Sequence, residues 1–355
     1  MAHVGVIFGG RSVEHQVSIR SARTVVQGLR AAGHEVTPLG IAQDGCWIDA
    51  VASEAVLSGG IATIAPLEMP VAPTLRHLLA SGVEVLFPIV HGTWGEDGTL
   101  QGLCEMIDVA YVGPGVTASA LAMDKLLFKR QMVAAGVPVV EYAAVRRADF
   151  ERDSRSFLEE ARRLPFPLFV KPSVGGSSVG VKKVPVPECL ETGVRFALQF
   201  DDTAIVERGV QGRELECAVL GYQKIEASAV GEIVPGNDFY DYADKYLQDT
   251  AELIAPAELR ADLADKLREL AVRAFEAIGG VGLARVDFLV EGEGIYVNEI
   301  NTLPGFTSIS MYPRLWELSG VPLPKLVDRL VQIALERHRD RHRLDQGIKE
   351  FLGTL

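Results

Sequence analysis

The 355-residue chain is 48% hydrophobic and carries 35 Gly and 18 Pro, enough apolar material for two or three cores joined by many turns. Its net charge of -12 argues against a nucleic-acid partner, because phosphate backbones call for a basic surface, though a nucleotide can still bind in a locally basic cleft. No basic-then-apolar signal peptide opens the chain, and no apolar run approaches the ~18–20 residues of a membrane helix. With four scattered cysteines (Cys46, Cys104, Cys189 and Cys217) and no Cys-x-x-Cys spacing, the expectation is a cytoplasmic protein off the membrane with reduced, buried thiols.

Residues 2–9 (AHVGVIFG) read as a short buried strand running into a Gly-rich turn and an amphipathic helix closed by Gly33, after which HEVTPLGI reads as a second strand. Strand, helix and strand at these lengths imply a parallel, Rossmann-like unit. The turn lacks the G-x-G-x-x-G spacing of a dinucleotide site. It carries Arg11, Ser12, Glu14 and His15 at the carboxyl end of the first strand, where open α/β sheets bind ligands. Glu14 is a candidate to hold a substrate ammonium; a first-turn acid favoured by the helix dipole is the alternative. The strand Val83–Val90 ends at His91-Gly92, again placing polar groups at a carboxyl edge, and the first domain is expected to close between Pro114 and Ala122.

One helix is expected over Ala118–Gly136, a strand over VPVVEYAAV and a charged helix over Asp149–Leu164. PFPLFVKPSVGGSSVGVKKV then delivers Lys171 on a strand and follows it with a Gly/Ser loop, Val174–Val179, before another strand. Such a loop can wrap phosphate oxygens with backbone N–H groups and Ser hydroxyls; without Gly-Lys-Ser/Thr and a following helix it is no Walker loop. It reads as a flap over phosphates or as a flexible hairpin turn. Glu207 falls where a strand meets a connection, Glu214 lies seven residues on, and a second sheet is expected over residues 213–230. The segment NDFYDYADKYLQDTAELIAPAEL is too long for a mere connection and reads as a lid that carries Lys245 toward phosphate and Tyr246 toward substrate. A helix follows over Ala261–Gly279.

GLARVDFLV and IYVNEINTLPG flank a Gly-rich turn. Strand period two puts Arg285 with Asp287, and Glu299 with Asn301, on one face. A three-residue turn at Gly292-Glu293-Gly294 would set Asp287 opposite Glu299 and Arg285 opposite Asn301. Two carboxylates and an amide oxygen make a hard-oxygen site of the kind Mg²⁺ takes together with substrate phosphates. The apolar residues flanking them argue against a merely solvated face, since buried charges need a metal or an Arg beside them. Gly305 offers a backbone amide beside Arg285, suited to an oxyanion, and the Ser-rich turn at Ser310 suits a substrate carboxylate. A last helix is expected over 323–341, with a weakly ordered tail from about 343.

In this order and at these spacings, FGGRSVEHQVS, HGTWGEDGTLQG, MDK, KPSVGGSSVG, YDYADKY, RVDF and NEINTLPGFTSIS make the chain, from Val4 to about Leu330, resemble the D-alanine–D-alanine ligases. These are ATP-grasp enzymes of peptidoglycan precursor synthesis. The resemblance implies an α/β fold, in part α+β, with three domains: a Rossmann-like N-terminal domain (1–118), then a central (119–208) and a C-terminal (209–335) α+β domain clasping ATP, followed by a helix end and tail (336–355). It implies that Lys125 and Lys171 contact the phosphates and purine, with Ser177 and Ser178 in the phosphate loop. Glu207 and Val210 would read the adenine edge, Glu214 would hold the ribose and Lys245 would approach the γ-phosphate. Asp287, Glu299 and Asn301 would bind two Mg²⁺ (or Mn²⁺) ions.

Glu14, helped by His91, would take the first D-alanine's ammonium; Arg285 and Gly305 the oxyanion; Ser310 the second D-alanine's carboxylate; and Ser177 and Tyr246 would join Glu14 in a network closing the lid. ATP is then a co-substrate, the product D-alanyl-D-alanine, and the family form a homodimer. The loop Ser-Val-Gly-Gly-Ser-Ser has an extra Gly where the family often has a bulkier residue, and the tail beyond about Arg343 has no counterpart. The rival readings are a D-alanine–D-lactate ligase, disfavoured by Tyr246 after Lys245, another ATP-grasp carboxylate–amine ligase, and a non-catalytic nucleotide-binding regulator, disfavoured because Arg285 and all the metal ligands are present.

Overall fold

The computed structural model describes residues 1–59, 82–236 and 252–354. The chain opens with β1 (His3–Gly9), α1 (His15–Ala31), β2 (Glu35–Ile41), α2 (Ala50–Leu57), β3 (Val85–Pro88), α3 (Thr99–Met106) and β4 (Ala110–Tyr111). The four strands form a parallel sheet in the order β2-β1-β3-β4, as the strand–helix–strand pattern requires. The near-continuous apolar run of β1 is buried on both faces, as parallel strands are.

The next elements are α4 (Val116–Met123), α5 (Lys125–Ala134), β5 (Tyr142–Arg146), α6 (Arg147–Arg152), α7 (Ser154–Ala161), β6 (Leu168–Pro172), β7 (Lys182–Val184), α8 (Leu190–Ala197) and β8 (Thr203–Arg208). Their strands pair antiparallel in the order β5-β8-β6-β7. The helix expected over Ala118–Gly136 is broken at Asp124, whose backbone is extended while its carboxylate accepts from the Leu126 and Leu127 amides. The charged helix over Asp149–Leu164 breaks the same way at Asp153, which caps α7 through the Ser156 amide. Asp satisfies orphan helix amides best from a non-helical backbone, so each acts as a start signal inside an otherwise periodic stretch. The expected strand VPVVEYAAV forms only from Tyr142.

β9 (Arg213–Gly221), β10 (Ile225–Val234), β11 (Glu252–Ile254), α9 (Ala261–Ala277), β12 (Gly282–Glu291), β13 (Gly294–Asn301), α10 (Met311–Leu318) and α11 (Leu323–Gly353) complete the described chain. The second antiparallel sheet has the order β11-β10-β9-β12-β13. α11 is not a helix with a loose tail from about 343: it runs on to Gly353. Its buried residues Leu326, Leu330, Val331 and Ala334 share one core with Val4, Val6 and Phe87 of the parallel sheet and with Phe306 and Tyr312. The last helix therefore completes the first sheet's core. Of the cysteines, Cys104 and Cys217 are buried, but Cys46 is half-buried and Cys189 exposed; all four are free thiols, and the expectation of burial fails for these two.

Candidate active site

The site is built on three adjacent strands. β12 pairs with β13 so that Asp287 lies opposite Glu299 and Arg285 opposite Asn301. The expected register is present, but its cause differs. The turn has two residues, with Glu291 paired to Gly294, and a bulge between the Phe288–Val297 and Asp287–Glu299 pairs restores the register one residue later. On the other side β9 sets Glu216 opposite Asp287. Glu216, Asp287 and Glu299 therefore form one row of carboxylates across β9, β12 and β13.

Such a row is tolerable only with a cation in it. Arg285 supplies one: its Nε and Nη2 donate to the two Asp287 oxygens, each at 2.7 Å, and Nε lies 3.1 Å from Glu216 Oε1. Burial works against this guanidinium, yet Asp287 and Glu216 together hold it well above its ordinary range. Asn301 Nδ2 donates to Asp287 Oδ2 at 2.8 Å, which leaves its Oδ1 as the ligand-type atom.

Facing these acids are the lysines of the central unit. Lys171 on β6 lies 2.8 Å from Glu207 Oε2, and Lys129 on α5 lies 3.0 Å from Glu207 Oε1. Glu207 is 3% exposed. Burial opposes its charge, but Lys129 and Lys171 outweigh burial and hold its carboxyl down at about 2. Burial likewise opposes the Lys171 ammonium, but Glu207, with Glu299 and Glu214 beyond it, raises it. Lys125 donates from Nζ to the Gly175 carbonyl at 2.5 Å; burial lowers its ammonium, while Glu299 pulls the other way. Ser177 and Ser178 in the same loop have left-handed backbones, φ 52° and 58°. Glu207 is thus committed to lysines; beyond it the Arg208 amide bonds the Glu141 carbonyl and the Gly209 amide the Pro167 carbonyl, and Val210 is half-buried in the connection to β9.

The N-terminal turn reaches the same place. A Cβ built on Gly92 would lie 2.8 Å from Glu14 Oε2, and one on Gly176 would lie 3.6 Å from that oxygen, so the first sheet's edge and the Val174–Val179 loop converge on Glu14. His91 is buried and does not point an open nitrogen at this space. Its Nδ1 bonds the Leu303 carbonyl at 2.8 Å and its Nε2 the Ser21 hydroxyl at 2.9 Å, and that hydroxyl accepts from the Phe306 amide at 3.1 Å. A carbonyl only accepts, so Nδ1 carries the hydrogen and Nε2 accepts from Ser21; burial lowers the imidazole in the same direction. His91 thus braces the 302–310 loop. In that loop a Cβ on Gly305 would lie 2.8 Å from Ser310 Oγ, which accepts from the Thr307 amide at 3.0 Å. Only glycine leaves the backbone there open beside the serine.

Two sequence profiles match the chain: "D-ala D-ala ligase N-terminus" over residues 3–114 and "D-ala D-ala ligase C-terminus" over residues 131–332. The chain belongs to the D-alanine–D-alanine ligase family. The D-alanine–D-alanine ligase of Solibacter usitatus is 45% identical to it over 95% of this chain and 97% of its own. Among solved structures, the family member from Coxiella burnetii superposes with a TM-score of 0.82 at 33% identity, covering 99% of both chains. VanG, a D-Ala:D-Ser ligase from Enterococcus faecalis, does so with a TM-score of 0.81 at 31% identity, over 94% of this chain and 99% of its own. Members of this family use ATP, and the two antiparallel sheets are the ATP-grasp part of its fold.

For this family member, Lys245 and Tyr246 lie, with residues 237–251 of the expected lid, outside the described residues; the end of that segment is no loop throughout, since Glu252–Ile254 form β11 against β10. Besides Ser177, Ser178 and Val210, placed above, the remaining expected residues fall into two groups. Lys125, Lys171, Glu207, Glu214, Arg285, Asp287, Glu299 and Asn301 are linked by ion pairs, hydrogen bonds and charge. Glu14, His91, Gly305 and Ser310 lie on loops at the first sheet's edge. Four further residues belong to the site. Glu216 stands two positions after Glu214 on the same strand face, and Lys129 one helical turn after Lys125; both spacings are legible. Glu96 accepts from the Gly92 amide at 2.8 Å and the Leu303 amide at 3.2 Å, and Ser21 joins His91 to Phe306; Glu96 lies within the HGTWGEDGTLQG stretch, whereas nothing in its local sequence marks Ser21.

Proposed function

We propose that this chain ligates two D-alanine molecules to D-alanyl-D-alanine with ATP, through an acyl phosphate, for peptidoglycan precursor synthesis in the cytoplasm. The observation that carries the reading is the row Glu216–Asp287–Glu299 with Arg285 beside it, faced by Lys125 and Lys171. A carboxylate and a triphosphate repel one another, and phosphoryl transfer asks a protein mainly to offset that repulsion and align the two. Asp287, Glu299 and Asn301 are hard-oxygen donors suited to two Mg²⁺ or Mn²⁺ ions, which when bound would supply charge neutralisation on the phosphates.

The chain's own groups do the rest. Lys171, fixed by Glu207, and Lys125, fixed by the Gly175 carbonyl, hold phosphate oxygens, with the Ser177–Ser178 turn offering backbone N–H groups. The backbone at 207–210 receives the purine and Glu214 the ribose. Glu14 holds the ammonium of the first D-alanine, and His91 acts through the loop it braces. That substrate's carboxylate attacks the γ-phosphorus, the bond to the β,γ-bridging oxygen breaks, and ADP leaves. The amine of the second D-alanine, its carboxylate at Ser310, then attacks the acyl carbon. Arg285 and the Gly305 amide stabilise the oxyanion, phosphate leaves, and the amine gives up a proton. Lys245 and Tyr246 would close over the site and keep water from the acyl phosphate. The three units divide at 118, 208 and 335, and the functional form is a homodimer.

The test is phosphate release from ATP and Mg²⁺ with D-alanine, L-alanine, D-alanine plus D-serine, and D-alanine plus D-lactate, with products identified by mass. Release that depends on D-alanine and yields the D-Ala–D-Ala mass is expected. A mixed product formed in preference to the dipeptide would overturn the acceptor assignment, and release without D-alanine would overturn the donor assignment.

A further inference from the structure

Far from the carboxylate row, α11 and the α3–β4 corner bring together three side chains that the ligation does not use. His338 and His342, one turn apart on α11, both direct Nε2 at Oδ1 of Asp108, at 3.2 and 3.1 Å, and the two Nε2 atoms lie 3.3 Å from each other. We propose that Asp108, His338 and His342 form a binding site for a divalent cation of the zinc class, with water as the fourth ligand.

The geometry is that of a tetrahedral face. Around an ion with bonds of about 2.0–2.1 Å, tetrahedral ligand atoms lie about 3.3 Å apart, and the three observed separations span 3.1–3.3 Å. A simple ion pair would account for one imidazole on Asp108; it does not call for a second imidazole nitrogen turned toward the first. Two imidazoles and one carboxylate select zinc and its neighbours over Mg²⁺ or Ca²⁺, which prefer oxygen. Histidines at i and i+4 share a helix face, a recurrent way to present two ligands.

The segments are held in place without an ion. Arg337 donates to the Gly113 carbonyl at 2.7 Å and the Tyr111 carbonyl at 3.1 Å, and Arg341 pairs with Glu105 at 2.7 Å, so the nearest guanidiniums are already occupied. Asp108 itself sits at φ 55°, at the left-handed position after α3, where Val109 N bonds Cys104 O and glycine is the usual residue. An ion here would tie Asp108 to a helix 230 residues on.

Isothermal titration of the chelator-stripped full chain with Zn²⁺, in excess Mg²⁺ to occupy the oxygen-rich site, tests this. One Zn²⁺ should bind, weakened more than the roughly 10–100-fold that loss of a mere supporting hydrogen bond costs in His342→Ala, His338→Ala and Asp108→Asn alike. Co²⁺ should give the intense visible spectrum of a tetrahedral site in the parent and not in His342→Ala, while ligase turnover stays unchanged. Equal Zn²⁺ binding by the parent and His342→Ala, or an octahedral Co²⁺ spectrum in the parent, would overturn the proposal.

Discussion

Glu207→Gln is the most informative single change. The carboxylate is buried between two ammonium groups, 2.8 Å from Lys171 and 3.0 Å from Lys129, and glutamine keeps its shape while removing its charge. Taking one charge from a buried set costs about 3–5 kcal/mol, because the partners are left uncompensated. The carboxyl's depression gives a second route to the magnitude. It is held at about 2 against an ordinary 4.5, and at 1.36 kcal/mol per pH unit the gap corresponds to about 3 kcal/mol. The sign follows from the direction. The folded carboxyl is more acidic than the unfolded one, so its contribution is complete above about pH 4.5 and fades as pH falls toward 2. Urea titrations at steps from pH 7 to pH 3 should show the variant about 3 kcal/mol less stable at pH 7 and the two proteins converging in acid. Lys171 would also lose its anchor, so KM for ATP should rise about tenfold, the equivalent of one charge-assisted hydrogen bond. Equal urea midpoints at pH 7, or a difference that does not shrink with acid, would refute the account of this triad.

Arg285→Lys keeps a positive charge but cannot span both Asp287 oxygens; kcat should fall about 10²–10³-fold, as for loss of an oxyanion donor, with the melting temperature lowered only modestly, measured by phosphate release and calorimetry. In Gly92→Ala the new Cβ would lie 2.8 Å from Glu14 Oε2 on a backbone at φ 75°. KM for the donor D-alanine should rise about tenfold with about 1–2 kcal/mol lost from stability, and an unchanged KM would detach Glu14 from the donor subsite. Glu96 presents the opposite pH sign to Glu207. Burial, then the charge of Glu14, push its carboxyl up to about 8 against the pull of the Gly92 and Leu303 amides. Its contribution is therefore complete below about pH 4.5 and fades as pH rises toward 8. Glu96→Gln, uncharged throughout, should flatten the fall in urea midpoint across that window by about 2 kcal/mol, less than the full gap implies because the residue keeps some contact with water.

Where the chemistry follows from short-range periodicity, it was legible. Strand period two put Arg285, Asp287, Glu299 and Asn301 on one face. The register survived a wrong turn length because the bulge near Val297 supplies the offset that the expected third turn residue was to provide. A buried face tolerates only one register, and the backbone found another way to reach it. The same period, carried from Glu214 to Glu216, predicts the third carboxylate of the row once β9 is known to lie beside β12. That adjacency is non-local, and nothing within β9 reports it.

The residues whose reading changed most are those whose partners lie far away in the chain. Glu207 is paired with lysines 78 and 36 positions before it, since Lys129 and Lys171 meet it only once β6, β8 and α5 have packed. His91 bonds a carbonyl 212 positions on. A carboxylate or imidazole read in isolation is assigned to the ligand, because the ligand is the one partner a local motif implies. Burial changes that assignment: a charge removed from water must be matched at once by the protein itself, whether or not substrate is present. Under the proposed function, the buried groups Glu207 and His91 would therefore act on the substrate through what they hold, Lys171 and the 302–310 loop, and direct contact would fall to groups such as Lys125, Lys171, the Gly305 amide and the Ser310 hydroxyl. On this reasoning, replacing His91 or Glu207 should move kcat and KM together through displaced neighbours, whereas replacing Ser310 should act mainly on KM for the second amino acid.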